Sequence, residues 1–221
     1  IIPATSANVA IPAMSDYFGL TPARAQWITS GFMVASTISM LTTPWLLARF
    51  GYRNTYLGAV LLLMLGAIAG GLARHFPLVL ASRALEGIAA GIIQPIPAVI
   101  ILHAFKPHEQ GGAGGLFGMG VVLAPAIAPA LGGVLTEFAD WRWCLWVNVP
   151  VAIVALIAGM LVMKESKAEG ENTYDVFGAV TVVLGLGALV YGFTLAEEGW
   201  GSLLTWAFLL GGVALLALFV W

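Results

Sequence analysis

One apolar stretch of the chain, LVLASRALEGIAAGIIQP, carries both an arginine and a glutamate, Arg83 and Glu86. Ionisable side chains are rare in runs this apolar, because holding a charge away from water is costly. Three residues apart, the two neighbour one another on one helical face. Gly87, Ala90 and Gln94 continue roughly the same stripe. The helix therefore turns a charged and small-residue strip toward a protein interior or a cavity. The chemistry open to such a pair is proton exchange. An adjacent arginine favours the ionised carboxylate while burial opposes it, so a change between wet and dry surroundings would load or unload a proton. The competing reading is a static ion pair that holds helices in register.

No other group of residues offers clearer chemistry. His75, His103 and His108 fall at loops or at the ends of apolar runs, without metal-ligand spacing, and Cys144 is the single cysteine. A metal site and a disulfide framework are therefore not expected. The glycines after Gln110 lack the lysine and the preceding strand that a phosphate-binding loop needs. No Ser/His/Asp arrangement is readable, and no organic cofactor is expected. Ser30, Ser36, Thr37, Ser39, Thr42 and Thr43 share one apolar run. They either line a polar cavity or, as is commoner, bond back to their own helix.

The elements that position Arg83 and Glu86 must be membrane spans. Of 221 residues, 60% are hydrophobic and 9% charged, with a mean hydropathy of +0.96. An ordinary soluble domain has about 25% charged residues. The bilayer is therefore the solvent, and the fold class is an all-α integral membrane protein. A net charge of −2 excludes the basic excess of a nucleic-acid-binding domain. A span needs about 20 apolar residues. Reading for such runs predicts a first span ending near Pro12, then spans near 25–47, 55–72, 78–102, 112–135, 144–163, 176–195 and 203–221. The chain begins at Ile1 within apolar sequence and stops at Trp221 while an apolar run is in progress. A fragment of a longer multi-pass protein is expected.

Arg49, Arg53, Lys106, Lys164 and Lys167 fall in alternate loops on one side, and Arg24, Arg74 and Arg142 on the other. The positive-inside rule puts the short Arg49–Arg53 loop in the cytoplasm. Trp141, Trp143, Trp146 and Trp200 then sit at the outer interface, where aromatic belts belong. The stretch 164–175, KESKAEGENTYD, is the only sustained hydrophilic segment. It is either a cytoplasmic linker that separates an N-terminal transmembrane bundle, 1–163, from two additional spans, 176–221, or simply a longer loop.

Two further segments stand out. Glycines crowd the start of GGAGGLFGMGVVLAPAIAPALGGV, where Gly111/Gly115 and Gly114/Gly118 have the spacing for close helix approach. Pro125 and Pro129 are expected to bend that helix, and Gly132 and Gly133 close it. A sliding interface and tight static packing are both compatible with it. In the loop Ala48-Arg49-Phe50-Gly51-Tyr52-Arg53, two arginines flank a turn glycine. They could pair with carboxylates or helix C-termini, or serve only as topology signals. Gln94-Pro95-Ile96-Pro97 interrupts the fourth span and suggests a hinge, a cavity wall or a simple bend.

These segments together resemble the major facilitator superfamily, in particular its fourteen-helix drug:proton antiporter branch of the EmrB/QacA type. Thr5 with Asn8-Val9-Ala10-Ile11-Pro12 looks like the end of that branch's first helix. The run Pro44 to Arg53 sits where the superfamily's G-x-L-A-D-R-x-G-R-K loop belongs, supplying Arg49, Gly51 and Arg53. Arg83-x-x-Glu86-Gly87 matches R-x-x-Q-G. Ala124-Pro125-x-x-Ala128-Pro129-x-x-Gly132-Gly133 is similar to the fifth-helix antiporter motif. Trp141-Arg142-Trp143 with Asn148-Val149-Pro150 looks like the W-R-W-x-F-x-I-N-V-P signature of the sixth helix.

The resemblance implies an N-terminal six-helix bundle of two inverted three-helix repeats, followed by an extra pair of helices. A C-terminal bundle belonging to the same protein would lie beyond this chain. It implies a secondary transporter in the inner (cell) membrane, not an enzyme. Such a transporter exports small amphipathic or drug-like molecules against protons by alternating access, with the proton gradient as its energy source and no bound cofactor. Its partners would be the lipid bilayer, its substrate and protons, with room for a periplasmic accessory protein and none for nucleic acid. A uniporter or uptake symporter of the same fold is the alternative, and a polytopic sensor or enzyme a more distant one. Three positions depart from the pattern. Ala48 replaces the loop aspartate, Pro3 stands at the first-helix aspartate position, and Glu86 replaces the fourth-helix glutamine. Glu86 thus adds a carboxylate beside Arg83 where two others are missing.

Overall fold

A computed structural model of the chain describes residues 2–163, 176–198 and 202–220. The hydrophilic stretch 164–175 lies outside the described residues. The chain divides into two compact units, Ile1–Asn172 and Thr173–Trp221. All regular structure among the described residues is α-helical.

In the first unit α1 spans Ile2–Phe18, α2 Pro22–Phe50 and α3 Tyr52–Gly71. The fourth traverse is α4, Phe76–Ile93, followed by α5, Ile96–Ala104. Next come α6, Gln110–Phe138, and then α7, Trp143–Trp146, with α8, Asn148–Val162. Five of these traverses are long and apolar enough to cross a membrane: Pro22–Phe50, Tyr52–Gly71, Phe76–Leu102, Gln110–Phe138 and Trp143–Val162.

The helices overrun the predicted apolar runs at most ends. α1 passes through Pro12 to Phe18, so that proline does not end it. A proline removes only its own N–H, which leaves one helical hydrogen bond unmade, and the helix runs on beyond it to Phe18. The interruption at Gln94-Pro95 is real: α4 closes at Ile93 and α5 restarts at Ile96. Pro125 and Pro129, by contrast, both lie inside the single helix α6. Tight reversals fall at the two glycines of positive φ, Gly19 (61°) and Gly51 (82°). Gly51 donates its N–H to Leu47 and accepts from Thr55, so it closes α2 and opens α3 at once.

Within this unit α2 packs most extensively on α4, α3 on α4 and α8, and α1 on α6. Exchange of the first traverse for the fourth, the second for the fifth and the third for the sixth carries the α1–α6 packing onto α4–α2. The same exchange carries α3–α8 onto itself. That is the pattern of inverted repeats. Buried apolar residues gather at both ends. One cluster holds Ala10, Met14, Ile28, Ala73, Val79, Trp141, Cys144 and Leu145. The other centres on Leu47, Tyr52 and Ile96, with Tyr56 and Met163 packed against it. The first lies at the end carrying Arg24, Arg74 and Arg142, the second at the end carrying Arg49 and Arg53, as alternating loops require.

The second unit is a helical hairpin of α9, Val176–Glu198, and α10, Leu203–Val220. Small residues bring its helices together: a Cβ on Gly212 would stand 2.8 Å from the Gly185 carbonyl oxygen. Tyr191 and Phe208 meet edge to face at 4.8 Å between ring centroids.

Candidate functional site

Arg83 and Glu86 lie in the middle of α4 with 1% and 0% exposure. Arg83 Nη1 donates to Glu86 Oε2, closing an ion pair across one turn. Phe32 of α2 covers the guanidinium, its ring centroid 4.5 Å from Arg83 Cζ, an arrangement that favours a desolvated cation. On the other side α3 presents Gly66, where an added Cβ would stand 2.8 Å from Glu86 Cγ. One turn along α3, a Cβ on Gly70 would stand 2.7 Å from Ser82 Oγ. Two polar atoms of the pair, Arg83 Nε and Glu86 Oε1, are buried without a hydrogen-bond partner. Arg83, Glu86 and Gly87 form a buried strip that faces α2 and α3 within the unit, whereas Ala90 is half-buried and Gln94, the far end of the predicted stripe, is exposed.

Spacing alone did not single out the walls of this site. Gly87 has no room for a Cβ because the Phe32 carbonyl occupies it, and at Gly91 the Ser36 carbonyl and Ser39 hydroxyl do the same. The Gly66/Gly70 step was readable as a close-approach spacing, whereas Phe32 carried no signal in the sequence. Gln94, eight residues beyond Glu86, is exposed and joins neither side chain.

The other predicted residues fall into separate groups. Arg49 is exposed and stacks near Trp45 and Phe50, 5.7 and 5.9 Å from their ring centroids. Among the described residues no carboxylate lies within ion-pair reach of Arg49 or Arg53. Arg53, at the start of α3, donates Nη2–H to the Met160 carbonyl at 3.2 Å, near the C-terminus of α8. At the opposite end Arg142, just before α7, donates Nη2–H to the Ala73 carbonyl at 3.3 Å, beyond the C-terminus of α3. Each arginine begins one helix and caps its antiparallel partner, where the helix dipole favours a cation.

Arg142 also pairs with Asp140 at 2.9 Å and lies over Tyr17 and Trp141, 4.7 and 4.5 Å from their centroids. Partial burial works against its charge, but Tyr17 and Asp140 outweigh that and hold its pKa above the ordinary arginine value. Trp141 is buried against Tyr17 and Phe18, while Trp143 is half exposed and Pro150 exposed. Asn148 is 1% exposed, and neither end of its amide has a hydrogen-bond partner.

On α6, Gly132 is buried and its carbonyl accepts from Thr136 Oγ1 at 2.9 Å and from Cys144 Sγ at 3.5 Å. Pro125 is half-buried and Pro129 exposed. Gly133 and the six glycines from Gly111 to Gly120 have no atom within 4 Å of where a Cβ would stand. Of the α2 hydroxyls, Ser36, Thr37, Ser39 and Thr42 bond back along their own helix, Thr37 Oγ1 to the Met33 carbonyl at 2.9 Å and Thr42 Oγ1 to the Ser39 carbonyl at 2.6 Å, while Thr43 Oγ1 reaches both the Ser39 carbonyl and the Gly91 carbonyl of α4 at 3.5 Å. Among the described residues no His, Cys, Asp and Glu cluster could hold a metal ion.

A family model described as Major Facilitator Superfamily matches residues 2–221. The chain belongs to the Major Facilitator Superfamily. It is therefore a multi-pass membrane protein of a transport family, not of an enzyme family. It is 30% identical over 222 residues to the uncharacterized MFS-type transporter YhcA of Bacillus subtilis, covering 100% of this chain and 42% of that protein. It is 30% identical over 218 residues to the lincomycin resistance protein LmrB of the same organism, covering 97% and 46%. It is 32% identical over 220 residues to the puromycin resistance protein pur8 of Streptomyces alboniger, covering 99% and 44%. The chain thus spans less than half the length of these curated relatives. Among solved structures, the POT family transporter PepTSo shares the superfamily fold, with a TM-score of 0.55 at 16% identity over 99% of this chain and 51% of that one.

Proposed function

We propose that this chain is the N-terminal part of a secondary transporter that exports small amphipathic molecules in exchange for protons. The observation that carries the reading is the enclosed Arg83–Glu86 pair, in a bundle whose relatives include lincomycin and puromycin resistance proteins. The fourteen-helix drug-export branch, the second bundle and the proton gradient as energy source belong to the same proposal. The surface of α2 supports a cavity beside α1. At about 100° per residue, its unpacked residues divide into two strips. Val34, Ile38 and Leu41 are apolar and Trp27 adds a ring suited to the membrane interface, so this strip suits lipid. Gln26, Met33, Thr37 and Met40 mix polar and flexible apolar groups. The second strip adjoins Asn8, whose Oδ1 accepts from Thr29 Oγ1 at 2.7 Å. Adaptable methionines beside hydroxyls and amides suit varied amphipathic ligands.

In this reading, protonation of Glu86 discharges the carboxylate, leaves Arg83 without its counter-ion and shifts which side of the cavity is open. The test is proton-driven efflux in proteoliposomes of the intact protein. Glu86→Gln is expected to abolish coupling to an imposed pH gradient. Normal gradient-driven transport by Glu86→Gln at every pH overturns the coupling role. A specific observation favours the alternative of an uncoupled facilitator. Both charges are enclosed by α2 and α3, as a static register pair would be, and Ala48 leaves the α2–α3 loop without its carboxylate. Transport indifferent to the pH gradient in the unsubstituted protein would support that alternative.

A further inference from the structure

Among the described residues of the first unit Asn148 is the most deeply buried amide side chain, and the packing of the bundle leaves both its donor and its acceptor unused. Leaving a buried amide unsatisfied is costly. The cost is removed where a buried water bridges such atoms to other polar groups.

Helix register shows which polar groups lie at its depth. α3 and α8 run antiparallel, and a Cβ on Gly70 would meet Leu145, while one on Gly159 would meet Tyr56. This register sets Asn148 opposite Ala67. α3 and α4 are likewise antiparallel, and Gly70 faces Ser82 while Gly66 faces Glu86. Asn148 and Glu86 therefore flank the same turn of α3, within about 1.5 Å of one another in depth at one residue's rise. Gly70 touches both neighbours, Ser82 of α4 and Leu145 of α7, so the three elements converge there. One turn along α4 from Ser82 stands Glu86, and Glu86 Oε1 and Arg83 Nε are the pair's own unpartnered atoms.

We infer that Asn148, Glu86 Oε1 and Arg83 Nε share an internal water site that relays protons to Glu86. The inference rests on the proposed coupling role of Glu86. The amide can accept from a water through Oδ1 and donate to it through Nδ2. A hydronium ion formed in the site gives one proton to Oε1, leaving a neutral carboxyl and a neutral water. The reverse step returns the proton. Apart from Arg83, no charged side chain of the neighbouring helices lies at the depth of Glu86: Arg24 and Arg49 sit near the two ends of α2. The buried face of α2 holds Ile28, Phe32, Ser39 and Thr43. The titratable residues of α3, Tyr52, Arg53 and Tyr56, lie at its opposite end from Gly70, and the described part of α8 has none. Asn148 is thus a positioning residue whose effect passes through Glu86.

The test uses the intact protein in proteoliposomes, with gradient-driven efflux measured across pH and substrate counterflow measured without a gradient. Asn148→Leu removes both hydrogen-bonding ends and keeps the branched outline of the side chain, at a larger volume. It is expected to slow gradient-driven efflux by roughly tenfold or more, the loss of one to two buried hydrogen bonds, and to displace its pH profile, while counterflow persists. Asn148→Ser keeps a hydroxyl for the water and is expected to restore most of the rate. Infrared difference spectra supply a second reading. The protonated-carboxyl band lost in Glu86→Gln is expected to move in Asn148→Ser. An unchanged pH profile in Asn148→Leu, or an unmoved band in Asn148→Ser, overturns the water site. Should Glu86→Gln remain fully coupled, the coupling role itself fails, and the two failures are told apart. If Asn148→Leu does not fold, Asn148→Ser and its band decide.

Discussion

The two glycine-rich regions of the first unit are built from the same residue to opposite ends. On α3 and α4, Gly66, Gly70, Gly87 and Gly91 are wedged against backbone and side chains, and each would have to displace a neighbour to gain a Cβ. Along the first part of α6, Gly111, Gly112, Gly114, Gly115, Gly118 and Gly120 face open space. Inverted-repeat symmetry relates the α2–α4 packing to the α1–α6 packing, yet only the former is closed by glycine over most of its length. The difference teaches that glycine content alone does not mark a close contact. In α4 it encloses a charge pair. In α6 it leaves a surface whose use lies outside the packing of this unit.

The largest effect that would sharpen the contrast falls on the enclosed charges. Removing one member of a buried pair strands the other, at about 3–5 kcal/mol. Arg83→Ala and Glu86→Ala are each expected to destabilise the folded protein by that amount, read from denaturant unfolding in detergent. Arg83→Met with Glu86→Leu is expected to regain much of the loss, since an apolar pair of similar volume avoids both desolvation penalties. Single variants as stable as the parent would show that the pair is not enclosed as described.

Next in size is the close packing itself. Gly91→Ala must push its methyl group into the Ser36 carbonyl and Ser39 hydroxyl of α2, and overpacking of this kind costs about 1–3 kcal/mol. Gly87→Ala, against the Phe32 backbone, is expected to match it. Unchanged melting temperatures for both would erase the distinction between the two regions.

The end clasps come third. Arg53→Gln and Arg142→Gln are each expected to cost about 1 kcal/mol or less, because both side chains are partly exposed and screened. The Arg142 contribution is held constant across working pH. Its pKa is raised, so the charged form and the stability it brings persist below the ordinary arginine value and fade only as pH rises beyond it. Stability that fell between pH 6 and 9 in the parent but not in Arg142→Gln would contradict this.

Much of this contrast was legible before any coordinates. Apolar runs placed the five traverses that are long and apolar enough to cross a membrane, because in a bilayer length is a strong constraint. The Arg83–Glu86 stripe was legible because a charge in such a run has few permitted surroundings. Three things were not legible, each for a physical reason. The apolar run predicts a first span ending near Pro12, yet α1 continues to Phe18, because a proline inside an apolar helix forfeits one hydrogen bond without ending it. The role of Phe32 depends on which residue of α2 meets Arg83, a register that spacing within one helix does not encode. Whether the α6 glycines met a neighbour depended equally on a partner, and the same small-residue spacing at Gly66/Gly70 does meet one.

The smallest effect on stability, and the sharpest test of the comparison, is therefore on α6. Gly115→Ala adds a methyl group where nothing stands within 4 Å, and alanine is favoured over glycine in a helix by about 1 kcal/mol. Stability is expected to hold or rise slightly, in contrast to the loss at Gly91. Transport by the intact protein decides what the open face is for. If a second helix must pass close to it during the transport cycle, Gly115→Ala and the bulkier Gly115→Leu are expected to fold normally while transport falls in step with side-chain volume. If transport is unaffected by either, the α6 glycines face lipid throughout, and the sliding surface must be sought elsewhere. If Gly115→Ala destabilises the protein as much as is expected of Gly91→Ala, the open face is closed by packing in the intact molecule, and the two regions are alike after all.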